Sequence, residues 1–101
     1  KQYAEAKTAY QQVIILLPEF DIVYQNLGEI YLSENQPNKA LPLFEKAMAR
    51  NLRNAEAWYL IGQAYYMQGD IAKAKMHISQ AMGLAPQEER YRKTFETLTK
   101  P

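Results

Sequence analysis

The 101-residue chain contains an internal repeat with a period of 34 residues. Gly28 and Gly62 lie 34 residues apart, and their surroundings match: residues 24–31 are YQNLGEIY and residues 58–65 are WYLIGQAY. Self-similarity at a constant spacing of this size is typical of arrays in which one small supersecondary unit stacks on the next. The period therefore predicts stacked copies of a single unit rather than one irregular core.

A second segment recurs at the same interval. Residues 40–47 (ALPLFEKA) match residues 74–81 (AKMHISQA), and residues 6–13 (AKTAYQQV) fall one period earlier. In both kinds of segment the apolar residues follow a spacing of three and four, which predicts amphipathic helices. No segment shows the alternation of a strand. The sequence therefore predicts an all-α protein whose unit is a pair of helices.

The residues between the helical segments are those expected at helix ends. Asn35 and Gly69 occupy equivalent places between paired helices, and both residue types tolerate the left-handed conformation that ends a helix. Three side chains are predicted to cap the helices that follow them, namely Asp21, Asn54 and Asp70. Pro42 falls inside a second helix, where we expect a slight bend with the proline facing solvent.

This pattern resembles the tetratricopeptide repeat. The shared features are an aromatic residue, a Leu-Gly pair and a tyrosine on the first helix, then two alanines around a large apolar residue on the second, and a closing proline. Leu52 stands where the closing proline is usual, and Ile78 where an aromatic residue is usual. The resemblance covers essentially the whole chain. It implies a right-handed superhelix, or α-solenoid, of antiparallel helical hairpins.

The resemblance also implies a division of the chain, which we expect to form a single domain. Residues 1–20 match the second helix of a partial repeat, residues 21–54 and 55–88 match full repeats, and residues 89–101 resemble a C-terminal capping helix. The first helix then lacks its usual partner helix. We expect either a longer parent protein or packing of this uncovered helix against another copy, which would give a homo-oligomer.

Composition argues against several functions. The formal charge is only +1, whereas nucleic acid or an anionic membrane surface would require a concentrated basic face. The longest apolar run, residues 13–17, is too short to insert across a bilayer. There is no cysteine, no phosphate-binding glycine loop, and a single histidine, His77, which we expect to be a solvated surface residue rather than a metal ligand. The chain is therefore predicted to be no enzyme and to hold no metal or cofactor; nothing indicates a compartment, and the cytoplasm is the default.

In a solenoid of this type the first helices line a concave groove, and the resemblance implies a scaffold or adaptor that binds a peptide or helical segment of another protein there. Tyrosine and methionine are favoured at such interfaces, and two basic residues at one end are placed to hold a carboxylate. The predicted groove residues are Gln25, Asn26, Glu29, Leu32, Tyr59, Gln63, Tyr66, Met67, Arg90 and Lys93.

One well-known ligand of the family is not expected here. Some family members grip the terminal carboxylate of a peptide with a clamp of Lys, Asn and Arg residues. At the corresponding positions this chain has Gln25, Glu29, Leu60, Arg90 and Thr94, and the glutamate would repel a carboxylate. Two alternatives to groove binding stay open: a structural role through self-association at the open N-terminal end, and a regulatory domain of a larger enzyme.

Overall fold

The computed structural model describes residues 3–100, which form six α-helices and, within that range, no strand. The helices are α1 (Tyr3–Leu16), α2 (Asp21–Ser33), α3 (Pro37–Arg50), α4 (Ala55–Met67), α5 (Ile71–Leu84) and α6 (Glu89–Thr99). Each helix packs against the next one along the chain. The predicted all-α arrangement of antiparallel hairpins is confirmed. Lys1, Gln2 and Pro101, which belong to the predicted terminal segments, lie outside the described residues.

The helices form two layers, with α2, α4 and α6 in one and α1, α3 and α5 in the other. Helices of the first layer approach one another more closely than helices of the second. In one layer α2 contacts α4, and Tyr59 of α4 stacks on Tyr91 of α6 with ring centroids 4.7 Å apart. In the other layer an open cleft separates Ile15 of α1 from Pro42 of α3. Because α2, α4 and α6 lie closer together than the helices of the other layer, they form the inner, concave side of the curved array.

The two repeated glycines lie where paired helices approach most closely. A Cβ atom on Gly62 would lie 2.5 Å from Cγ1 of Ile78, and one on Gly28 would overlap the ring of Phe44. Phe44 and Ile78 are fully buried, so neither can easily move aside. The predicted packing role of the glycines is confirmed, and it explains why a residue that weakens a helix recurs at this position.

The aromatic residue at the start of each first helix is tied to the chain before it. The Tyr24 hydroxyl donates to the carbonyl oxygen of Pro18 at 2.8 Å, and Nε1 of Trp58 donates to the carbonyl oxygen of Leu52 at 2.9 Å. Pro18 and Leu52 are 34 residues apart. The acceptor is a backbone group, which every residue type provides. A leucine can therefore replace the usual proline at position 52 without losing this contact.

The turns after α2 and α4 are built alike. Asn35 and Gly69 have positive φ angles of 61° and 86°. In each turn the following N–H donates back to a carbonyl in the last helical turn, that of Tyr31 at 2.8 Å and that of Tyr65 at 2.9 Å. This is the Schellman arrangement, which satisfies carbonyls that the helix end leaves free. The left-handed conformation predicted for both residues is confirmed.

Two of the three predicted caps are observed. Asn54 and Asp70 each accept a hydrogen bond from the backbone N–H three residues further on, at 3.1 Å in both cases. The prediction for Asp21 is wrong, because Phe20 occupies the N-cap position and Asp21 is already the first residue of α2. There its carboxylate pairs with Nε of Arg50 at 2.8 Å, and its negative charge suits the positive end of the helix dipole.

Two residues of the second helices were expected to face solvent. Pro42 is exposed within α3, which continues unbroken to Arg50. His77 differs from the expectation, since it is half-buried and its ring lies 5.6 Å from that of Trp58 and 5.3 Å from that of Tyr65. It fills the space between two first-helix aromatic residues, a contact that a single-helix pattern does not reveal.

Candidate interaction surface

The C-terminal ends of α2 and α4 present a mixed surface on the concave side. Tyr66 and Met67 are 52% and 39% exposed, which is high for large apolar side chains. Glu29 is exposed, Leu32 is half-buried where it packs on the core, and Gln63 is half-buried with its amide donating to the Tyr59 hydroxyl. These five members of the predicted groove offer apolar area, an amide and one negative charge to anything that lies along the inner layer.

Tyr59, by contrast, is a core residue. It is only 4% exposed, and its hydroxyl lies 2.9 Å from Oγ1 of Thr94 and accepts a hydrogen bond from Nε2 of Gln63 at 3.0 Å. Its ring stacks on Tyr91. We expected this side chain to be available to a ligand, but the structure uses it to hold α6 against α4.

Gln25 is also buried by contact with the next first helix. It is 8% exposed and accepts a hydrogen bond from Nδ2 of Asn54 at 3.2 Å, which links α2 to the start of α4. Gln25 and Tyr59 are equivalent residues, one period apart. Periodicity within a helix separates its core face from the opposite face. It does not show which residues of the opposite face contact the next first helix, and this contact buries both side chains.

Arg90 is already occupied by partners within the chain. It pairs with Glu56 at 2.6 Å, and its guanidinium lies 5.1 Å from the ring centroid of Tyr59 and 5.2 Å from that of Tyr91. The hydrogen bond to Glu56 raises the pKa of the Arg90 guanidinium. Tyr91 also donates its hydroxyl to Glu56, at 2.6 Å. Arg90 therefore neutralises an internal carboxylate and is not free to receive that of a ligand.

The Tyr91 hydroxyl is held in its neutral, protonated form. Its pKa is raised well above the usual range, mainly because the side chain is buried and secondly because it donates a hydrogen bond to the Glu56 carboxylate.

Lys93, the other predicted basic residue, is exposed on α6 and has Glu89 at 3.9 Å one turn earlier. Lys93 is thus the better placed of the two to meet a ligand.

Asn26 lines a separate cleft at the N-terminal edge of the concave side. The cleft has a volume of about 430 Å³ and lies between α1 and α2. Its walls are formed by Tyr3, Ala6 and Tyr10 of α1 and by Asn26, Glu29 and Ser33 of α2. Sequence reasoning placed Asn26 and Glu29 in the groove but did not identify this cleft, which we call the α1/α2 cleft.

The turn between α1 and α2 is an apolar surface that was not predicted. Its large side chains are between 47% and 73% exposed, and they are Ile15, Leu16, Leu17, Phe20 and Ile22. One period later the equivalents of Leu16, Phe20 and Ile22 are arginine, asparagine and glutamate. This contrast between equivalent turns is the sequence signal that would have identified the patch.

Between residues 3 and 100, no helix combines the length and apolar character required to cross a membrane. In the same range no cluster of three or more histidine, cysteine, aspartate or glutamate side chains is arranged to hold a metal ion.

Comparison with known sequences gives a consistent match. The family model described as tetratricopeptide repeat matches residues 31–94. Among curated proteins, the protein O-mannosyl-transferase TMTC3 of Homo sapiens is 30% identical over 86 residues, which is 84% of this chain and 9% of the transferase. The chain therefore spans a small part of this relative.

Solved structures give the same result. A structure of MamA residues 41 to the end, from Desulfovibrio magneticus RS-1, superposes with a TM-score of 0.90 at 28% identity, over 96% of this chain and 55% of that one. The first TPR of Spaghetti (RPAP3), bound to the HSP90 peptide SRMEEVD, superposes with a TM-score of 0.92 at 18% identity, over 97% and 78% of the two chains. At the latter identity the likeness shows the fold alone.

Proposed function

Because the chain belongs to the tetratricopeptide repeat family, we propose that it binds an extended or helical segment of another protein on its concave side. In this proposal residues 21–54 and 55–88 are the two full repeats, and the flanking helices α1 and α6 complete one domain. The fold is typical of non-catalytic interaction modules, and we propose no catalytic role for these residues.

The observation that carries the proposal is the pair Tyr66 and Met67 at the end of α4. Both side chains are exposed. The other aromatic residues of α2, α4 and α6 are buried or half-buried. A tyrosine offers a large rigid contact surface and a methionine an adaptable one. Burying this pair beneath a ligand would therefore contribute favourable binding free energy. Gln63, one turn earlier on α4, and the exposed Lys93 on α6 supply further polar groups on this side of the array.

The charges on this surface favour a particular kind of ligand. Glu29 is exposed on the concave side, while Arg90 is neutralised by Glu56. A peptide that presents a free carboxylate would meet repulsion at Glu29 and no available arginine at position 90. The RPAP3 structure supports peptide binding as a class of function, but its acidic ligand is not the one we propose here. We propose an apolar segment that is neutral or basic.

A peptide library displayed on phage would test the proposal. Sequences selected on the wild-type chain are expected to bind Tyr66→Ala and Met67→Ala at least tenfold more weakly, because the anchor is removed. Met76→Ala is the matched control, since Met76 is also exposed but lies on the outer helix α5. Selected peptides that bind all three variants as tightly as the wild type would contradict the concave surface as the site.

A further inference from the structure

Gln63 stands at one end of a chain of hydrogen bonds that runs from α4 to α6. Its Nε2 donates to the Tyr59 hydroxyl at 3.0 Å, and that hydroxyl lies 2.9 Å from Oγ1 of Thr94. The Thr94 hydroxyl in turn donates to the carbonyl oxygen of Arg90 at 3.0 Å. The chain therefore connects a side chain of the concave surface to the backbone of the last helix.

The direction of each bond is fixed by the carbonyl group at the far end. A carbonyl oxygen can only accept, so the single hydroxyl proton of Thr94 is used on Arg90. Thr94 must then accept from Tyr59, and the Tyr59 oxygen, whose own proton is used, must accept from Gln63. An amide turned the other way would place its oxygen against the lone pairs of the Tyr59 oxygen. The NH2 group of Gln63 therefore points to Tyr59.

The surroundings of Tyr59 keep this orientation fixed. Tyr59 is buried and its ring stacks on Tyr91, so the hydroxyl oxygen is held in place. Hydrogen bonds that follow one another in a chain also polarise and strengthen one another where water is largely excluded. A side chain that is already ordered loses less conformational entropy when a ligand binds to it. Gln63 is thus pre-organised for binding.

The other half of the Gln63 amide is available to a ligand. Its Oε1 accepts no hydrogen bond from the described residues and is not enclosed by them. An amide nitrogen carries two hydrogens, and within residues 3–100 only the one that bonds Tyr59 is used. Gln63 therefore presents an acceptor and a donor side by side on the concave surface.

The equivalent positions of α2 and α6 do not offer this combination. Glu29 of α2 has a carboxylate, which accepts hydrogen bonds but cannot donate them. Thr97 of α6 uses its hydroxyl proton on the carbonyl oxygen of Lys93, at 3.1 Å. Of the three inner-layer helices, α4 is thus the one that places an unused donor beside an unused acceptor at this position.

A donor and an acceptor on one amide match the backbone of an extended peptide. In an extended segment the N–H and C=O groups of one residue point to the same side, as they do in a β-sheet, so one side-chain amide can bond to both. Inside a helix these groups are already paired with each other. Tyr66 and Met67 follow Gln63 by three and four residues, which makes them its neighbours on the helix surface. A segment bound at Gln63 through its backbone would therefore bring a neighbouring side chain to this pair.

We propose that Gln63 binds the backbone of the ligand, and that the ligand is an extended segment rather than a helix. The Gln63 oxygen accepts from a backbone N–H, and its unused N–H donates to the carbonyl oxygen of the same ligand residue. Tyr59 and Thr94 are positioning residues that act through Gln63. This inference rests on the function proposed above and selects one of the two ligand conformations which that function allows.

The orientation of the amide can be tested without a ligand. Valine has the shape of threonine but no hydroxyl, so in Thr94→Val the Tyr59 proton loses its acceptor and can donate to the Gln63 oxygen instead. The amide is then expected to turn over. Nuclear Overhauser contacts between the NH2 protons of Gln63 and the Tyr59 ring are expected in the wild type and in Thr94→Ser, and are expected to be lost in Thr94→Val. Contacts that are absent from the wild type, or equal in all three proteins, would overturn the fixed orientation.

Peptides selected on the wild-type chain from the phage library are the probe for the ligand. In each peptide one amide at a time is replaced by an ester, which removes a backbone N–H and keeps the shape. One ester is expected to weaken binding about fivefold through a single lost hydrogen bond. Gln63→Met is expected to weaken binding of the all-amide peptide about tenfold and to abolish the effect of that ester, because its partner is gone. Gln80→Met, on the exposed side of α5, is the matched control and keeps both affinities.

Thr94→Val separates positioning from a structural role. Its affinity for the all-amide peptide is expected to fall about threefold, and the effect of the ester is expected to shrink, whereas Thr94→Ser restores both. A lower thermal stability alone would not change the response to a single ester. An ester effect that is the same in Thr94→Val and in the wild type would overturn the positioning role.

The two proposals fail in different ways. Peptides that bind Tyr66→Ala as tightly as the wild type, or a library that yields no binder, would contradict the concave site and this inference with it. Peptides that depend on Tyr66 but contain no ester position coupled to Gln63 would overturn this inference alone. The same holds if the carbon chemical shifts of a labelled, bound peptide are those of a helix.

Discussion

Gly62 has no space for a side chain, whereas Gly83, on the exposed side of α5, has nothing within 4 Å of an added Cβ. Gly62→Ala is expected to lower the free energy of unfolding by about 1–3 kcal/mol, because the methyl group meets Ile78 and the backbone of Ala74. Gly83→Ala should raise it by about 0.5–1 kcal/mol through helix propensity alone. Urea denaturation measures both. Stabilisation by Gly62→Ala would contradict the packing role.

Tyr91 gives a prediction for alkaline pH. Its pKa is raised in the folded chain, so the unfolded chain loses this proton first, near pH 10. Above that pH the folded state binds more protons than the unfolded state, and stability falls by up to about 1.4 kcal/mol per pH unit from this group. Below pH 9 Tyr91→Phe is expected to cost about 1 kcal/mol through the lost hydrogen bond to Glu56.

The stability advantage of wild type over Tyr91→Phe should therefore shrink as pH rises above 9 and change sign before about pH 11.5, because phenylalanine has no proton to lose. Denaturant titrations at a series of pH values measure this difference. A difference that stays constant across the range would show that the Tyr91 hydroxyl ionises equally in both states.

At the scale of a helix, the turns after α2 and α4 depend on one residue each. Asn35 has a φ angle of 61°, where a side chain other than asparagine or aspartate is strained. Asn35→Ala is expected to lower the free energy of unfolding by about 1 kcal/mol, while Asn35→Gly leaves it unchanged or raises it by up to about 0.5 kcal/mol. Thermal and urea unfolding would measure the pair. Equal effects of alanine and glycine would argue against the left-handed turn.

Helices and their ends were predictable from sequence because they depend on residues near one another in the chain. The glycine positions, the turns at Asn35 and Gly69, and the caps at Asn54 and Asp70 were all predicted. The exception, Asp21, depends on the path of the preceding turn, which brings Phe20 to the cap.

The site was less predictable because its residues are arranged by contacts between repeats. Tyr59 and Arg90 were assigned to the groove from their position on a helix, yet Thr94 contacts Tyr59 across 35 residues of sequence and Glu56 pairs with Arg90 across 34. Equivalent positions need not have equivalent neighbours at the ends of the array.

For the whole molecule, the elongated shape of 43 × 26 × 19 Å follows from contacts between neighbouring helices. Stability in such an array varies along its length. Amide hydrogen exchange is expected to be slowest in α4 and α5, which share the most extensive contact, and fastest in α1, which has no buried residue. Mass spectrometry of exchanged peptides measures the order. Uniform protection across all helices would show that the chain unfolds as one unit.

The absence of any buried residue in α1 also bears on how strongly a partner could be held. A molecule that contacts α1 stabilises the helical form that it contacts, so folding of α1 and association are linked equilibria. Substitutions that raise helix content on the exposed side of α1, such as Thr8→Ala, would then tighten association without touching the bound molecule. Affinity could drift during evolution at such positions while the identity of the bound molecule, set by the contact residues, stayed fixed.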